Sequence, residues 1–315
     1  MIMTLTLILI ILLITFFLNH VYRFSHFTDK IGNTKKPEDY SILDLLKVFL
    51  IGIRIRIPKP IGHICINNNY ISQFLEFRNI KLNYWLSKNT ESTTIVILFH
   101  GYAVSKTQLF DESEFFISNG YSTVLVDFRG SGQSSESYTG MGTYESEDVF
   151  QIFNFFKHKY KNKKIILFGH SLGSVAILRA IYKYKIDPKA IILQAPFDSF
   201  LNTTRNRFRI LKIPSFPFAE FLVLFGSVTL FTNLFAFNPY KYAKDLNIPV
   251  LYLIGEKDNR VFLEDIQRIV YNTKSYKSLA IISKVSHDYL YASNQQDWKK
   301  YIMEFLTYIN KMKNI

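Results

Sequence analysis

Residues 163–185 read KKIILFGHSLGSVAILRAIYKYK. The first third is a short apolar run of strand character, and the last half spaces its apolar residues as a helix does. Between them stands a single serine in Gly169-His170-Ser171-Leu172-Gly173. A side chain displayed on so sharp a strand-to-helix turn needs neighbours without Cβ atoms, because the two backbones crowd together there. Gly-x-Ser-x-Gly also arises by chance, and a loop serine often only caps a helix. The surrounding chain must therefore decide between a displayed nucleophile and a cap.

On both sides of this turn, apolar runs alternate with amphipathic helices. Upstream lie the strand-like TTIVILFH (93–100), the helical TQLFDESEFFISNG (107–120), the strand-like YSTVLVDFRG (121–130) and the helical YESEDVFQIFNFFKHKY (144–160). That last helix begins acidic and ends basic, which suits its macrodipole. Downstream follow KAIILQAP (189–196), IPVLYLIGEKD (248–258), SLAIISKVSH (278–287) and the closing helix QQDWKKYIMEFLTYINKMK (295–313). HICIN (63–67), ISQFLEF (71–77) and IKLNYWL (80–86) read as an antiparallel set ahead of them. The alternation predicts an α/β class chain with a mostly parallel central sheet and helices on both faces.

Ligands of such sheets bind beyond the carboxyl ends of the strands. Ser171, His100-Gly101 and Asp127 all fall at such ends, as do Asp258 and His287. The last strands thus supply a carboxylate and an imidazole, in the order Ser, Asp, His. A serine hydroxyl becomes an effective nucleophile only when a base removes its proton, and the base needs a carboxylate to hold its tautomer. His287 is the candidate base and Asp258 the candidate acid. Glu256, two residues earlier, and Asp198, after the preceding strand, remain rival acids.

From about residue 70 onward the sequence resembles the α/β-hydrolase superfamily, and is most similar to its monoacylglycerol-lipase-like and serine-aminopeptidase-like branch. The resemblance rests on FHGYAVSK (99–106), VDFRGSGQS (126–134), GHSLG (169–173), LIGEKDNRV (253–261) and SHD (286–288). It implies the α/β-hydrolase fold, with a helical lid inserted over about 199–246. It also implies a catalytic triad of Ser171, Asp258 and His287, and an oxyanion hole made by the backbone N–H groups of Tyr102 and Leu172. Arg129 and Gly130 are then structural. The fold hosts many chemistries, so ester hydrolysis, peptide hydrolysis, acyl transfer and a non-catalytic scaffold all stay open, with lipophilic carboxylic esters preferred. Neither a cofactor nor a metal is called for.

The chain has 315 residues, a formal net charge of +13 and one cysteine, Cys65. No internal disulfide can form, and a metal cluster built on cysteine is excluded. Lysine and arginine are scattered along the chain, without the basic stripe of a nucleic-acid binder, so membrane lipid is the expected partner of the charge, while a small ester or acyl substrate is what the resemblance implies. Oligomeric state is left open.

MIMTLTLILIILLITFFL carries no charge over 18 residues, about 27 Å of helix. Residues 1–22 are therefore expected to form an N-terminal membrane anchor. No basic residue precedes the run and no A-x-A-like site follows it, which argues against a cleaved signal peptide. Arg23, Lys30, Lys35 and Lys36 follow it, so the positive-inside rule leaves the catalytic domain in the cytoplasm. Residues 23–61 form a basic, apolar juxtamembrane segment, in which 41–60 reads as an interfacial helix and then an extended stretch through Arg54 and Arg56. The hydrolase domain takes 62–315. Within the lid, RNRFRILK (205–212) places Arg205, Arg207, Arg209 and Lys212 beside AEFLVLFGSVTLFTNLFAFN (219–238), which reads as an apolar lid helix. Because Ser171, Asp258 and His287 lie after residue 100, loss of residues 1–22 is expected to leave the chemistry untouched.

Overall fold

The structure, a computed structural model, describes residues 2–30, 41–58, 69–89, 91–287 and 290–312. The HICIN run with Cys65, together with Lys35, Lys36, Pro60 and Asp288, lies outside the described residues.

The chain begins with helix α1 (Ile2–Ser25), followed by the two-residue strand β1 (Phe27–Thr28), helix α2 (Ile42–Ile51) and strand β2 (Ile55–Arg56). Ser41 caps α2 in a reciprocal box with Asp44, as the Ser-x-x-Asp spacing allows. β1 and β2 pair in parallel. Over 41–58 the chain is thus a helix followed by an extended segment.

Strands β3 (Tyr70–Phe77) and β4 (Ile80–Ser87) form an antiparallel hairpin. The doubly wound part follows: β5 (Thr94–Phe99), α3 (Phe110–Ser118), β6 (Ser122–Val126), α4 (Glu145–Lys159), β7 (Lys164–His170), α5 (Leu172–Tyr184) and β8 (Ala190–Gln194). After a helical insertion of α6 (Phe200–Ile210), α7 (Phe218–Thr229) and the short α8 (Pro239–Tyr242), the sheet resumes. It closes with β9 (Val250–Gly255), α9 (Leu263–Asn272), β10 (Lys277–Ile282), the short α10 (Leu290–Ser293) and α11 (Gln295–Lys311). The eight-stranded sheet has the order β10-β9-β8-β7-β5-β6-β4-β3, parallel from β10 to β6.

Strand periodicity sorts the core into two layers. Ile95, Ile97 and Phe99 face one side with Phe153 and Phe156 of α4 and Val175 and Leu178 of α5. Val96 and Leu98 face the other with Phe116 of α3 and Trp298, Ile302 and Phe305 of α11. Buried on both faces, these strands read as continuous apolar runs.

The insertion between β8 and β9 differs from the single apolar helix expected over 219–238. α7 ends at Thr229, and Leu234 folds back so that its side chain packs with Val223, Leu230 and Met141. Gly226 leaves room for that return, since a Cβ there would stand 2.9 Å from a Leu234 methyl.

The amino-terminal segment also differs from expectation. α1 runs on to Ser25, and its last turns are built into the domain. Phe17, Val21 and Ser25 are buried. Phe17 packs against Phe218, Phe221 and Phe225 of α7. Beyond the helix, Phe27 N donates to Ser137 O (2.6 Å) and Thr139 N donates to Ser25 O (2.9 Å). Residues 17–27 therefore join α1 to the domain by packing and hydrogen bonds as well as by chain connectivity.

Candidate active site

Ser171 sits between β7 and α5 at φ 50°, ψ −106°, a left-handed conformation that costs a non-glycine residue about 1–3 kcal/mol. The surroundings enforce it. Ser171 N donates to Gln194 O on the neighbouring strand (2.8 Å), and Ser174 Oγ donates to Gly169 O (2.7 Å) and Gln194 O (2.8 Å). Both flanking glycines are sterically required. A Cβ on Gly169 would lie 2.5 Å from Ser174 N, and one on Gly173 would lie 2.2 Å from Phe99 O.

Three sequence-distant side chains meet here. Ser171 Oγ lies 3.1 Å from His287 Nε2, and His287 Nδ1 lies 2.8 Å from Asp258 Oδ2. Asp258 Oδ1 accepts from the backbone N–H groups of Arg260 and Val261, each at 2.9 Å. Burial works to raise the Asp258 carboxyl, but the adjacent His287 and those two N–H donors outweigh it and hold the group below the usual carboxylate range. The imidazole therefore faces an anion through one nitrogen and the serine hydroxyl through the other.

The rival acids are engaged elsewhere. Asp198 is buried, accepting from Arg268 Nη1 (3.0 Å) and Asn202 Nδ2 (3.0 Å). Glu256 is exposed and accepts from Lys284 N (2.8 Å).

The other polar groups at this edge build the scaffold. Asp127 forms a fully buried pair with Lys106 and also accepts from Lys106 N (2.8 Å) and Gln133 N (3.1 Å). Lys106 Nζ also donates to Asn83 Oδ1 (2.6 Å), so the buried ammonium has two oxygen partners. Any Cβ on Gly132 would collide with the Asp127 carboxylate. Arg129 clasps Asp148 through Nε and Nη2 and reaches Glu147. His100 accepts from Phe128 N through Nε2 (3.1 Å) and contacts Gly101 O through Nδ1 (2.7 Å). Burial depresses its basicity, in keeping with a neutral ring. The histidine of the elbow, His170, stacks obliquely on His287 with ring centroids 5.4 Å apart.

Leu172 opens α5, so its N–H is among those that a helix start leaves unpaired. Tyr102 follows Gly101 in the turn after β5, and Ala103 next to it is held at φ 57°. The Tyr102 ring is covered by Phe24 of α1 (centroids 4.8 Å, 22°) and Phe27 (6.1 Å). Its hydroxyl donates to Phe24 O at 2.6 Å. Burial pushes the phenol upward, so it remains a donor. Sequence reasoning missed these contacts with α1, since nothing in the spacing of residues 17–27 signals a partner 75 or more residues away.

Residues 90–215 match the profile of the serine aminopeptidase S33 family of hydrolases. An uncharacterized protein of Bacillus subtilis, YqkD, is 23% identical over 223 residues, covering 70% of this chain and 73% of its own length. Lysophosphatidylserine lipase ABHD12 of Macaca fascicularis is 27% identical over 180 residues, covering 53% of this chain; the match spans only 42% of that lipase. Among solved structures, an esterase from Pyrococcus furiosus superposes with a TM-score of 0.64 at 23% identity, over 79% of this chain and 98% of that one. The fold is the α/β-hydrolase fold, and the matching hydrolase profile covers residues 90–215, less than half of the chain. By their names, ABHD12 is a lipase and the Pyrococcus furiosus protein an esterase, while the matching profile is that of a peptidase family.

Proposed function

We propose that the protein is a membrane-anchored serine hydrolase that cleaves lipophilic carboxylic esters through an acyl-Ser171 intermediate. The observation that carries this reading is the relay from Ser171 Oγ through His287 to Asp258, with contacts of 3.1 and 2.8 Å. As Ser171 Oγ attacks the ester carbonyl, His287 Nε2 accepts its proton, and the ionised Asp258 stabilises the imidazolium. The N–H groups of Leu172 and Tyr102 receive the oxyanion. The carbon–oxygen bond to the leaving alcohol then breaks, His287 returns its proton to that alcohol, and water repeats the sequence to release the acid and free Ser171.

The lipid part of the reading draws on α1 and the lid. α1 is the one helix among the described residues long and apolar enough to cross a membrane. Its first buried residue is Phe17. The stretch from Ile2 to Phe16 gives roughly 22 Å of helix, short of the about 30 Å of a hydrocarbon core. For α1 to cross, its segment beside the lid must enter the bilayer too, bringing α7 to the level of the acyl chains. The outward face of α7 suits that level, with Phe221, Leu224 and Val228 exposed and Phe231 almost wholly so beyond its end. The packing of Phe17, Val21 and Ser25 into the domain supports retention of α1 over its removal as a signal peptide.

Fluorophosphonate labelling of the full chain in native membranes tests the reading. Stoichiometric labelling is expected, and Ser171→Ala is expected to abolish both labelling and p-nitrophenyl ester turnover, a loss of about 10³–10⁶ in rate. A folded protein that takes no label would leave only a scaffold. The name of the matching family keeps peptide hydrolysis as a second reading, and aminoacyl amides turned over faster than matched esters would favour it.

A further inference from the structure

We infer that the amino-terminal helix completes the active site: Phe24, through its main-chain carbonyl and its ring, is a positioning residue for Tyr102 and for the oxyanion donor at that position. The inference rests on the serine-hydrolase reading and adds to it a role for the anchor in the chemical step.

Tyr102 belongs to a short turn in which the next residue, Ala103, holds the left-handed conformation at φ 57°. That conformation is disfavoured for alanine by roughly 1–2 kcal/mol, so the turn needs outside ties to keep one shape. One set of ties is internal to the domain: Gly101 N donates to Gln108 Oε1 at 3.0 Å and Gly101 O meets His100 Nδ1 at 2.7 Å. The other is the Tyr102 side chain, which bonds Phe24 O at 2.6 Å and stacks on the Phe24 ring. A carbonyl in the last turn of a helix has no partner within the helix. Phe24 O can therefore serve Tyr102 without breaking a bond of α1.

Phe24 is itself held firmly. One residue on, Ser25 is buried and its carbonyl accepts from Thr139 N. His26 forms a β-bridge with Tyr138. The segment that receives α1 is anchored by Glu145, which accepts from Gly140 N (3.0 Å) and Gly142 N (2.7 Å). The same segment reaches the lid through Tyr144, whose hydroxyl donates to Leu230 O (2.7 Å). Helix, lid and oxyanion turn thus form one continuous set of contacts. The end of α1 is placed where a shift of a few tenths of an ångström would move an N–H that must meet developing charge.

The test uses full-length protein in detergent micelles with a short soluble ester, p-nitrophenyl butyrate, so that substrate delivery from a bilayer plays no part. Tyr102→Phe removes one oxygen and keeps the ring. It is expected to lower kcat about tenfold with KM within twofold, less than the 10²–10³ of a lost oxyanion donor because the N–H is displaced and not deleted. Phe24→Ala is expected to do the same, Phe24→Trp to restore most of the rate, and the double variant to fall no further than the worse single one, because both act through one contact. Affinity for a phenylboronic acid, which mimics the tetrahedral intermediate, should weaken by the same factor as kcat. Should Phe24→Ala fail to fold, the one-atom change at Tyr102 still decides. An unchanged kcat in Tyr102→Phe, with turnover abolished in Ser171→Ala, overturns this inference alone. Turnover that survives Ser171→Ala overturns the parent reading and this one with it.

Discussion

Phe17 of α1 lies flat on Phe225 of α7, with ring centroids 5.6 Å apart and planes inclined by 6°. Phe221 and Phe218 close around the same ring at 5.2 and 6.5 Å. The lid helix α7 is thereby packed against α1, the helix proposed to meet the membrane.

Phe17→Ala should loosen that joint. Removing a buried phenylalanine costs about 3 kcal/mol, so amide exchange across Phe218–Thr229 should accelerate by up to about a hundredfold while the sheet strands keep their protection. Exchange in α7 that does not change would show that the lid is held by the domain alone.

The carboxylates should separate sharply. Asp258→Asn is expected to reduce kcat by roughly 10⁴, because the amide favours the wrong imidazole tautomer. Asp198→Asn and Glu256→Gln should each change kcat less than about tenfold, since their partners are Arg268 and Asn202 in one case and Lys284 N in the other. A larger loss at Asp198 would reassign the acid to the earlier strand.

The same carboxylate predicts a pH signature. Asp258 is held below the ordinary aspartate value near 4 by His287 and two backbone donors. Its contribution to stability is therefore fully present above that value and is lost as pH falls through the depressed one. The difference in urea midpoint between the wild type and Asp258→Asn should stay level from about pH 5 upward and shrink below about pH 4. A difference that grows on acidification would contradict the assignment.

Truncation should have two thresholds. Deleting residues 2–15 removes only exposed turns of α1 and should release most of the protein from carbonate-washed membranes, with soluble-ester turnover within twofold. Deleting through His26 also removes Phe17, Phe24 and Ser25, and should cost at least a further tenfold in kcat. The exposed apolar face of α7 should leave a residual lipid attachment in both. Equal kcat in the two truncations would mean that the end of α1 has no part in the chemistry.

The sequence by itself determined the elements whose cause is local. Apolar runs of strand length became β5 to β10, and the acidic-to-basic helix became α4. The glycines at 169 and 173 marked the turn because backbone atoms stand where their Cβ atoms would be. Even the candidate site was legible, since each of its polar residues follows a strand, and strand ends in a parallel sheet must converge on one edge.

The tertiary structure decided what depends on packing between distant segments. Ser171, Asp258 and His287 became a relay only when the parallel register of β7, β8, β9 and β10 set their carboxyl ends side by side. Asp198 and Asp258 follow neighbouring strands; one is turned to Arg268 of α9 and the other to His287 in the loop after β10. The role of α1 was hidden for the same reason. Its composition marks a helix for apolar surroundings, and composition has no term for which rings it will meet. Phe17 and Phe24 were indistinguishable from their apolar neighbours until the fold brought α7 and Tyr102 against them.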